Sequence, residues 1–513
     1  MSKNKRTIIN VTCSVMVLVA NTIIGFWLSP FIVKNIGVEA NGFVTLANNF
    51  TSYAQLIVAA LNSMAARYIT LAYVQKDYKK ANLYYNSVFW GNLIIVAVLI
   101  MPAVYLIVKL EKFITVSPDI LLDVKLLFLF IFFNFFLTTG APNWSVGTYV
   151  TNRLDRDYIP QMATALFRCI GIFVMMTVLL PKVRYIGFMS SLVTIILLAV
   201  NGYNTYKLTP ELRISLKPGN LICSWKAIKD LVGAGIWNSI SNVGNMLLSG
   251  LDLLICNLLF GDVAMGIISL SKTLPSYIQS LSASIRNAFA PELMINYAKG
   301  DKEAVFRDLN RAMKLTSTVL IIPIAGIISF GEAFFSLWVP SQDAKQLQIL
   351  SVLAIFGYMF TSGTQILFNV FSTVNKVKQN SIAMIISGLV SALLTFTLGK
   401  YTSLGIYAVA GTSTVVNLVR NMVYTLPATA KYLGFNWKRF YPQVLTTVGA
   451  SILLIAIGLL FNHFLPTDSW FKLIISAFIF GVVALILNMF IMLNKEERKI
   501  LINLVLRKLR IRK

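Results

Sequence analysis

The sequence predicts an all-α polytopic membrane protein with about fourteen transmembrane helices, in two pseudo-symmetric six-helix lobes followed by two C-terminal helices. Three observations predict this fold. The 513 residues are 57% hydrophobic and only 13% charged, with a mean hydropathy of +0.73. Apolar runs repeatedly exceed the roughly 18–20 residues that cross a bilayer. Residues 37–81 also align without a gap with residues 261–305.

This internal repeat determines the predicted architecture. Ten of the positions at which the two copies carry the same residue, at a constant offset of 224, identify the repeat. Two homologous halves in a membrane chain are typical of transporters that rock one half against the other around a site between them. The first-copy positions are Gly37, Ala40, Gly42, Leu46, Ser52, Tyr53, Gln55, Ala59, Tyr73 and Asp77.

The apolar runs predict the order of the spans. An even number of spans in each half makes the repeat parallel, related by an axis along the membrane normal. The predicted divisions are an N-terminal lobe (1–206), a cytoplasmic linker (207–226), a C-terminal lobe (227–427), two additional spans (440–494) and a basic amphipathic tail on the cytoplasmic leaflet (495–513). The spans lie near 8–34, 42–73, 82–108, 120–148, 158–180, 184–206, 227–259, 264–297, 306–330, 346–373, 380–399, 403–427, 440–463 and 471–494.

The net charge of +25 arises mainly from Lys and Arg residues in the predicted loops. Alternate loops carry roughly 29 Lys and Arg residues, against about 7 on the opposite side. This bias predicts that both termini are cytoplasmic, so the charge reflects topology and does not indicate nucleic acid. The four cysteines are scattered singly and predict neither a metal site nor a disulfide framework.

Polar side chains recur at helical spacing inside the repeated spans. Lys272, Gln279 and Arg286 stand at i, i+7 and i+14, so they share one face of the eighth span. The two cations are roughly 21 Å apart along the helix axis. The second span has a matching neutral face, and the seventh has a stripe that ends in a carboxylate. These two stripes are Asn48, Ser52, Gln55 and Asn62, and Asn238, Asn245 and Asp252.

A charge that faces lipid costs about 2.5–3.5 kcal/mol on insertion scales, so these faces are expected to line a water-filled cavity. One side of that cavity would be neutral and polar and the other cationic. Such a site suits a substrate with an anionic part and a hydrogen-bonding part, such as a phosphate attached to a sugar. The predicted cavity cations are Arg286, Lys272, Arg168 and Arg420, and the predicted polar residues are Asn48, Gln55, Asn62, Asn245 and Gln279.

Other intramembrane charges have alternative interpretations. Arg67, Arg311 and Lys314 lie near span ends, where cations usually extend to the interface. Lys272 and Asp252 are expected at similar depth, either as a structural ion pair or as a pair that breaks during transport. Asp252 is also the candidate for coupling to H⁺ or Na⁺, which the sequence leaves open.

Residues for catalysis are missing from the sequence. The Gly399–Lys400 pair lacks the other residues of a phosphate-cradling Walker A loop. His463 is the single histidine and stands at a span end without a partner. No Ser, His and acid converge. The sequence therefore predicts no enzyme, no cofactor and no metal site.

Local sequence also carries a family resemblance. The Asn21–Pro30 stretch, the Gly37–Phe43 turn and the end of the second span from Arg67 to Asp77 resemble the bacterial polysaccharide (Wzx-like) flippases of the multidrug/oligosaccharidyl-lipid/polysaccharide exporter superfamily. This resemblance implies a cationic central cavity. It also implies translocation of an undecaprenyl-pyrophosphate-linked oligosaccharide repeat unit from the inner to the outer leaflet of the plasma membrane, with a polysaccharide polymerase as a candidate partner.

Three alternatives remain open. A lipid II or teichoic acid precursor flippase would use the same chemistry. A cation-coupled multidrug antiporter of the same superfamily would need a buried carboxylate in the N-terminal lobe, where the sequence places none. A membrane-embedded glycosyl transferase or polymerase would need a large outer loop or a cluster of acids.

Overall fold

The computed structural model describes residues 3–151, 153–215, 223–465 and 467–498. Helices make up 86% of the structure, and the described residues contain no β-strand. Eleven helices in these ranges are long and apolar enough to cross a membrane, which confirms the predicted all-α polytopic fold. In chain order, the described α-helices are α1 (Lys3–Asn35), α2 (Val38–Val74), α3 (Tyr78–Val108), α4 (Leu121–Gly140), α5 (Ser145–Val150), α6 (Asp155–Val178), α7 (Arg184–Leu208), α8 (Trp225–Asn245), α9 (Asp252–Ser271), α10 (Thr273–Ala298), α11 (Lys302–Trp338), α12 (Ala344–Ile355), α13 (Tyr358–Thr361), α14 (Phe368–Thr373), α15 (Val377–Tyr401), α16 (Ile406–Arg420), α17 (Leu426–Tyr432), α18 (Tyr441–Phe464) and α19 (Trp470–Met492).

The eleven apolar helices do not include α1, α10 and α16, which occupy the predicted first, eighth and twelfth spans. α10 carries the polar stripe that ends at Arg286, and this lowers its hydropathy. α16 is only 15 residues long because a π-helical turn follows it.

The chain divides into two compact units. The first unit contains the chain up to Met246 together with Cys256–Gly266, and the second contains Leu247–Ile255 and the chain from Ile267 onward. Within the first unit, α2 packs along α3 and α8. Within the second, α11 packs against α18 and α19. The lobe boundaries predicted from the sequence stay a prediction.

Buried apolar side chains hold the helices together inside each unit. In the first unit, Leu61 and Ile69 of α2 pack with Tyr85 of α3 and Leu231 of α8. In the second unit, the buried side chains of α11 pack with those of α18 and α19. Representative members of this second cluster are Ile321, Phe330, Leu454 and Phe480.

Backbone geometry follows the internal repeat. Gly37 separates α1 from α2 with φ of 138°, and its repeat partner Gly261 breaks α9 with φ of 85°. Lys76 and its partner Gly300 have φ of 60° and 76° at the ends of α2 and α10. Positive φ is uncommon outside glycine, so its recurrence at equivalent sites indicates the same chain turn in both copies.

The helices that follow these turns begin in the same way. The Asp77 carboxylate accepts a hydrogen bond from the Lys80 amide at 3.0 Å, at the start of α3. The equivalent Asp301 carboxylate accepts one from the Ala304 amide at 2.8 Å, at the start of α11. Each aspartate satisfies an amide that has no partner inside its helix. The repeat seen in the sequence is therefore also present in the local structure.

Several predicted spans are interrupted. The fourth span stops at Gly140 and resumes at Ser145, because Pro142 supplies no amide to continue the helix. The tenth span passes through a 3₁₀ turn at Gly363–Leu367. The twelfth span contains the π turn Asn421–Thr425. Another π turn, Met246–Gly250, joins α8 to α9.

The predicted cytoplasmic linker is described only in part, because residues 216–222 lie outside the described residues. Its first part is fixed to α3 by two asparagines one helical turn apart. Asn82 bonds to the backbone of Glu211 at 2.6 Å and of Arg213 at 2.9 Å. Asn86 bonds to the backbone of Arg213 at 2.9 Å and of Ser215 at 2.8 Å. The predicted amphipathic tail lies outside the described residues from residue 499 onward.

The contact between α8 and α2 depends on Gly235. A Cβ atom at this position would lie 2.2 Å from the Ala60 carbonyl oxygen, whereas a Cβ at Gly233 on the same helix would meet nothing within 4 Å. We expect Gly235→Ala to lower the free energy of unfolding by roughly 1–3 kcal/mol, because the backbones must separate. Gly233→Ala should be neutral or slightly stabilising. Thermal unfolding of the purified protein in detergent measures both, and equal melting temperatures would contradict the close packing.

Candidate functional site

A cavity of about 660 Å³ lies within the first unit. Helices α2, α3, α7 and α8 and the break between α4 and α5 form its walls. Its lining contains no charged side chain, and we call it the amide cavity because amide side chains dominate its polar surface. These amides are Gln55, Asn62, Asn92, Asn143, Asn201 and Asn242.

Two of these amides have an unused acceptor. Asn92 is 4% exposed, and its Nδ2 donates to Asn62 Oδ1 at 3.1 Å. Asn201 Nδ2 donates to Asp157 Oδ1 at 3.1 Å. The Oδ1 atoms of Asn92 and Asn201 are buried and have no hydrogen-bond partner among the described residues. A buried acceptor without a partner costs about 1–3 kcal/mol, so both oxygens favour a ligand or water that can donate.

Arg168 lines a second cavity of about 310 Å³ in the first unit, which we call the arginine cavity. It shares Thr138, Leu198 and Asn201 with the amide cavity, so the two adjoin. Its lining has no carboxylate. Arg168 Nε is buried without a hydrogen-bond partner, and no ion pair of the described residues includes this arginine. The cavity therefore presents a positive charge that the described protein does not neutralise.

Arg420 lies in the second unit at the end of α16 and is 7% exposed. Its Nη2 donates to Asn417 Oδ1 at 2.7 Å, and its guanidinium carbon lies 5.2 Å from the Phe368 ring centroid. Nε and Nη1 are buried with no hydrogen-bond partner among the described residues. Asn369, the next residue after Phe368, donates from Nδ2 to the Arg286 carbonyl at 2.8 Å. The second unit therefore brings these two predicted cations into one region.

Lys272 forms an ion pair. Its Nζ bonds to the Asp252 carboxylate, which is nearly fully buried and also accepts a hydrogen bond from Ser413 Oγ at 3.4 Å. Lys314 is paired as well, because its Nζ lies 3.2 Å from Glu497 Oε2. Two of the intramembrane lysines thus have carboxylate partners, unlike Arg168 and Arg420.

Several predicted site residues lie outside these two cavities. Asn48 is exposed on α2, and its Nδ2 donates to the Val44 carbonyl of its own helix at 2.8 Å. Asn245 and Gln279 are exposed on α8 and α10, and Arg286 is half-buried on α10. Gln55 and Asn62, by contrast, line the amide cavity. The roles assigned to all of these residues stay predictions.

Sequence reasoning missed four of the six amides of the amide cavity, including Asn242 of α8. Asn92, Asn143 and Asn201 stand on different elements, and none belongs to a polar stripe. The run Gly140–Ser145 in the sequence was an available signal, because it places Pro, Asn and Trp inside an otherwise apolar span. Interrupted helices at membrane depth usually line a cavity or pack inside protein.

No family model matches this chain. The chain is 25% identical over 495 residues to "Uncharacterized membrane protein EpsK" of Bacillus subtilis (strain 168), which covers 96% of this chain and 97% of that protein. This similarity over nearly the full length agrees with a multi-pass membrane protein.

Solved structures share the fold. The lipid II flippase MurJ, in an inward closed conformation, superimposes with a TM-score of 0.65 at 14% identity, covering 93% of this chain and 98% of that chain. A multidrug resistance MATE family transporter of the MOP superfamily, in an inward-facing conformation, gives a TM-score of 0.63 at 14% identity, covering 83% and 98%. The chain therefore has a fold found in membrane transporters and flippases.

The buried pair makes a testable contribution to stability. We expect Lys272→Met to lower the free energy of unfolding by roughly 3–5 kcal/mol, because the Asp252 carboxylate loses its counter-charge in a buried position. The double variant Asp252→Asn with Lys272→Met should be more stable than Lys272→Met alone. Melting temperatures in detergent, arranged as a double-mutant cycle, measure this coupling.

The exposed pair Lys472–Asp468 serves as the control, with side chains 46% and 69% exposed. Lys472→Met should change stability little, because exposed pairs are worth about 0–1 kcal/mol. If the two substitutions at the buried pair are simply additive, the buried pair has no stabilising role.

Proposed function

We propose that this chain is a flippase, which moves an undecaprenyl-pyrophosphate-linked oligosaccharide repeat unit from the inner to the outer leaflet of the bacterial plasma membrane by alternating access. The product would serve surface polysaccharide biosynthesis. Arg168 is the observation that carries this proposal. It is a guanidinium in a polar cavity within a membrane unit, and no described carboxylate neutralises it.

The cost of an unpaired charge supports an anionic substrate. Ionisable residues inside membrane segments are expensive, and those that persist usually serve a transport pathway or bind a ligand. A guanidinium presents a planar set of donors that matches phosphate oxygens, often with two parallel hydrogen bonds. Arg420 offers two further buried N–H donors in the second unit. A diphosphate would satisfy donors of this kind.

The rest of the substrate divides by chemistry. Sugar hydroxyls both donate and accept hydrogen bonds, as the side chains of the amide cavity do. The polyprenyl tail gains about 0.8 kcal/mol for each CH₂ group buried in lipid, so it would stay in the bilayer while the headgroup crosses. A flippase therefore needs a polar passage for the headgroup alone, and a polar cavity beside a cation meets that need.

The rival from the same fold is a cation-coupled multidrug antiporter. A cationic substrate needs a negative group in its cavity, and neither described cavity of the first unit has one. Asp252 is bonded to Lys272 in the second unit, so its charge is already balanced. This distribution of charge favours an anionic substrate.

A lipid II or teichoic acid precursor flippase is the second candidate. Its substrates also join a phosphate group to a saccharide on a lipid, and the solved flippase with this fold is named for lipid II. The two candidates differ in the group that the lipid-linked phosphate carries, so a direct comparison of substrates separates them.

The proposal includes a topology and partners. The Lys and Arg bias of the loops supports cytoplasmic termini in the inner membrane. A polysaccharide polymerase is the proposed partner, because the flipped unit must be joined to others outside. Coupling to H⁺ or Na⁺ would act through Asp252.

Flipping by proteoliposomes tests the function. Vesicles carry an undecaprenyl-pyrophosphate-linked oligosaccharide in one leaflet, and a membrane-impermeant glycosidase reports the other. We expect the wild type to accelerate flipping and Arg168→Gln to slow it by about 10- to 100-fold, because a charge-assisted hydrogen bond contributes about 1.5–3 kcal/mol. Arg168→Lys should keep part of the activity, since it keeps the charge but loses the paired geometry.

Arg67→Gln is the matched control, because Arg67 is exposed on α2. It should leave flipping unchanged. Unchanged flipping in folded Arg168→Gln would remove Arg168 from the mechanism. Faster flipping of lipid II than of the oligosaccharide carrier would favour the second candidate. No acceleration of any lipid, with uptake of a cationic dye instead, would replace the proposal with the antiporter.

A further inference from the structure

We infer that the amide cavity is a binding subsite for an uncharged sugar ring and that Trp144 is its stacking platform. This inference rests on the proposed flippase function, because it assigns one part of the substrate to one part of the first unit. The residues that carry it are Trp144, Asn92, Asn201 and Gln55, all in the lining of this cavity.

The chain holds Trp144 in a fixed position. It occupies the break between α4 and α5, where its backbone N–H donates to the Pro142 carbonyl at 2.7 Å. Its own carbonyl accepts a hydrogen bond from Thr205 Oγ1 of α7. The indole therefore lies on a backbone that is anchored on both sides of the residue.

One face of the indole packs against α7. A Cβ atom built on Gly202 would lie 3.3 Å and 3.4 Å from Cε2 and Cδ2 of Trp144, the two atoms shared by the fused rings, and 3.5 Å from Cζ2. Only an approach over the ring face reaches these central atoms almost equally. Because Gly202 covers one face and Trp144 also lines the cavity, a sugar ring can stack on the remaining aromatic surface.

The polar atoms around this platform suit hydroxyl groups. The Oδ1 atoms of Asn92 and Asn201 are buried acceptors without partners in the described chain, while the Nδ2 atoms of both residues are already bonded. A sugar hydroxyl can donate to either oxygen once a turn of the amide side chain exposes it, because both oxygens are shielded from solvent in the structure, and this bond would remove the cost of the unmet hydrogen bond. Gln55 is exposed and lines the cavity, and among the described residues it has no hydrogen bond that would hold it elsewhere.

Charge and size limit the ligand further. The cavity has no charged lining residue, so it offers nothing to balance a uronic acid or an amino sugar. Its volume of about 660 Å³ lies within the roughly 300–1,000 Å³ typical of ligand pockets. The arginine cavity shares Asn201 and Thr138 with it, so a phosphate at Arg168 and a sugar on Trp144 would be neighbours.

Binding of free glycosides in nanodiscs tests this subsite apart from transport. The probes are methyl β-D-glucopyranoside and methyl β-D-galactopyranoside, with glucuronic acid as the charged comparison, observed by saturation-transfer NMR. We expect saturable binding of at least one neutral glycoside, a loss of at least five-fold in Trp144→Ala, and retention in Trp144→Phe, which keeps an aromatic face. Trp225→Ala is the control, because Trp225 is 77% exposed at the start of α8.

A second variant guards against misfolding at Trp144. Gln55→Leu removes a polar group that has no hydrogen bond in the described structure, so it should fold and bind the neutral glycoside several-fold more weakly. Unchanged glycoside binding in both folded Trp144→Ala and folded Gln55→Leu would overturn the subsite. Equal binding of glucuronic acid would overturn its restriction to uncharged sugars.

Pyrophosphate binding, measured by calorimetry on the same samples, separates this inference from the proposed function. Trp144→Ala should bind pyrophosphate like the wild type, whereas Arg168→Gln should not. Wild-type protein that binds pyrophosphate but no glycoside would overturn the sugar subsite and leave the flippase proposal standing. Wild-type protein that binds neutral glycosides but not pyrophosphate would count against the lipid-diphosphate substrate and support the subsite.

Discussion

In a bilayer, each backbone N–H and C=O must be bonded within the protein, so a helix can be interrupted only where protein or water satisfies the freed groups. Three of the candidate residues lie at such interruptions. Trp144 lies in the break between α4 and α5, Arg420 directly precedes the π turn Asn421–Thr425, and Asp252 follows the π turn Met246–Gly250. At an interruption, a side chain can therefore lie inside the protein where a continuous apolar helix would direct it toward lipid.

Pairing divides the intramembrane cations into two kinds. Lys272 and Lys314 each have a carboxylate, so their charge is used inside the protein. Arg168 and Arg420 keep buried N–H groups without partners in the described residues. Burying an ion pair and burying an N–H group without a partner each cost a few kcal/mol. A ligand can recover only the cost of the unpartnered N–H group, by accepting its hydrogen bond. Pairing, more than the presence of a charge, therefore separates structural cations from candidates for substrate binding.

Sequence reasoning predicted what depends on local repetition. The turns at Gly37 and Gly261 and the helix starts at Asp77 and Asp301 follow from matched positions, because the same local residues impose the same backbone. The amide cavity did not follow in the same way. Its polar side chains lie on several different helices, most of which contribute only one. The spacing of polar residues along a single helix therefore does not predict this cavity. Asn201, for example, lines both cavities of the first unit, and only the packing of the helices shows this.

The two copies of the repeat keep the same backbone but differ in charge. Asn48 and Asn62 on α2 stand where α10 has Lys272 and Arg286, at the same offset of 224. Asn62 lines an uncharged cavity, whereas Lys272 forms an ion pair. Two identical copies would offer the same chemistry twice and would suit a substrate of one kind. Replacement of amides by cations in one copy instead makes the local chemistry of the two copies differ on the same backbone, and at Lys272 the added charge is balanced by Asp252.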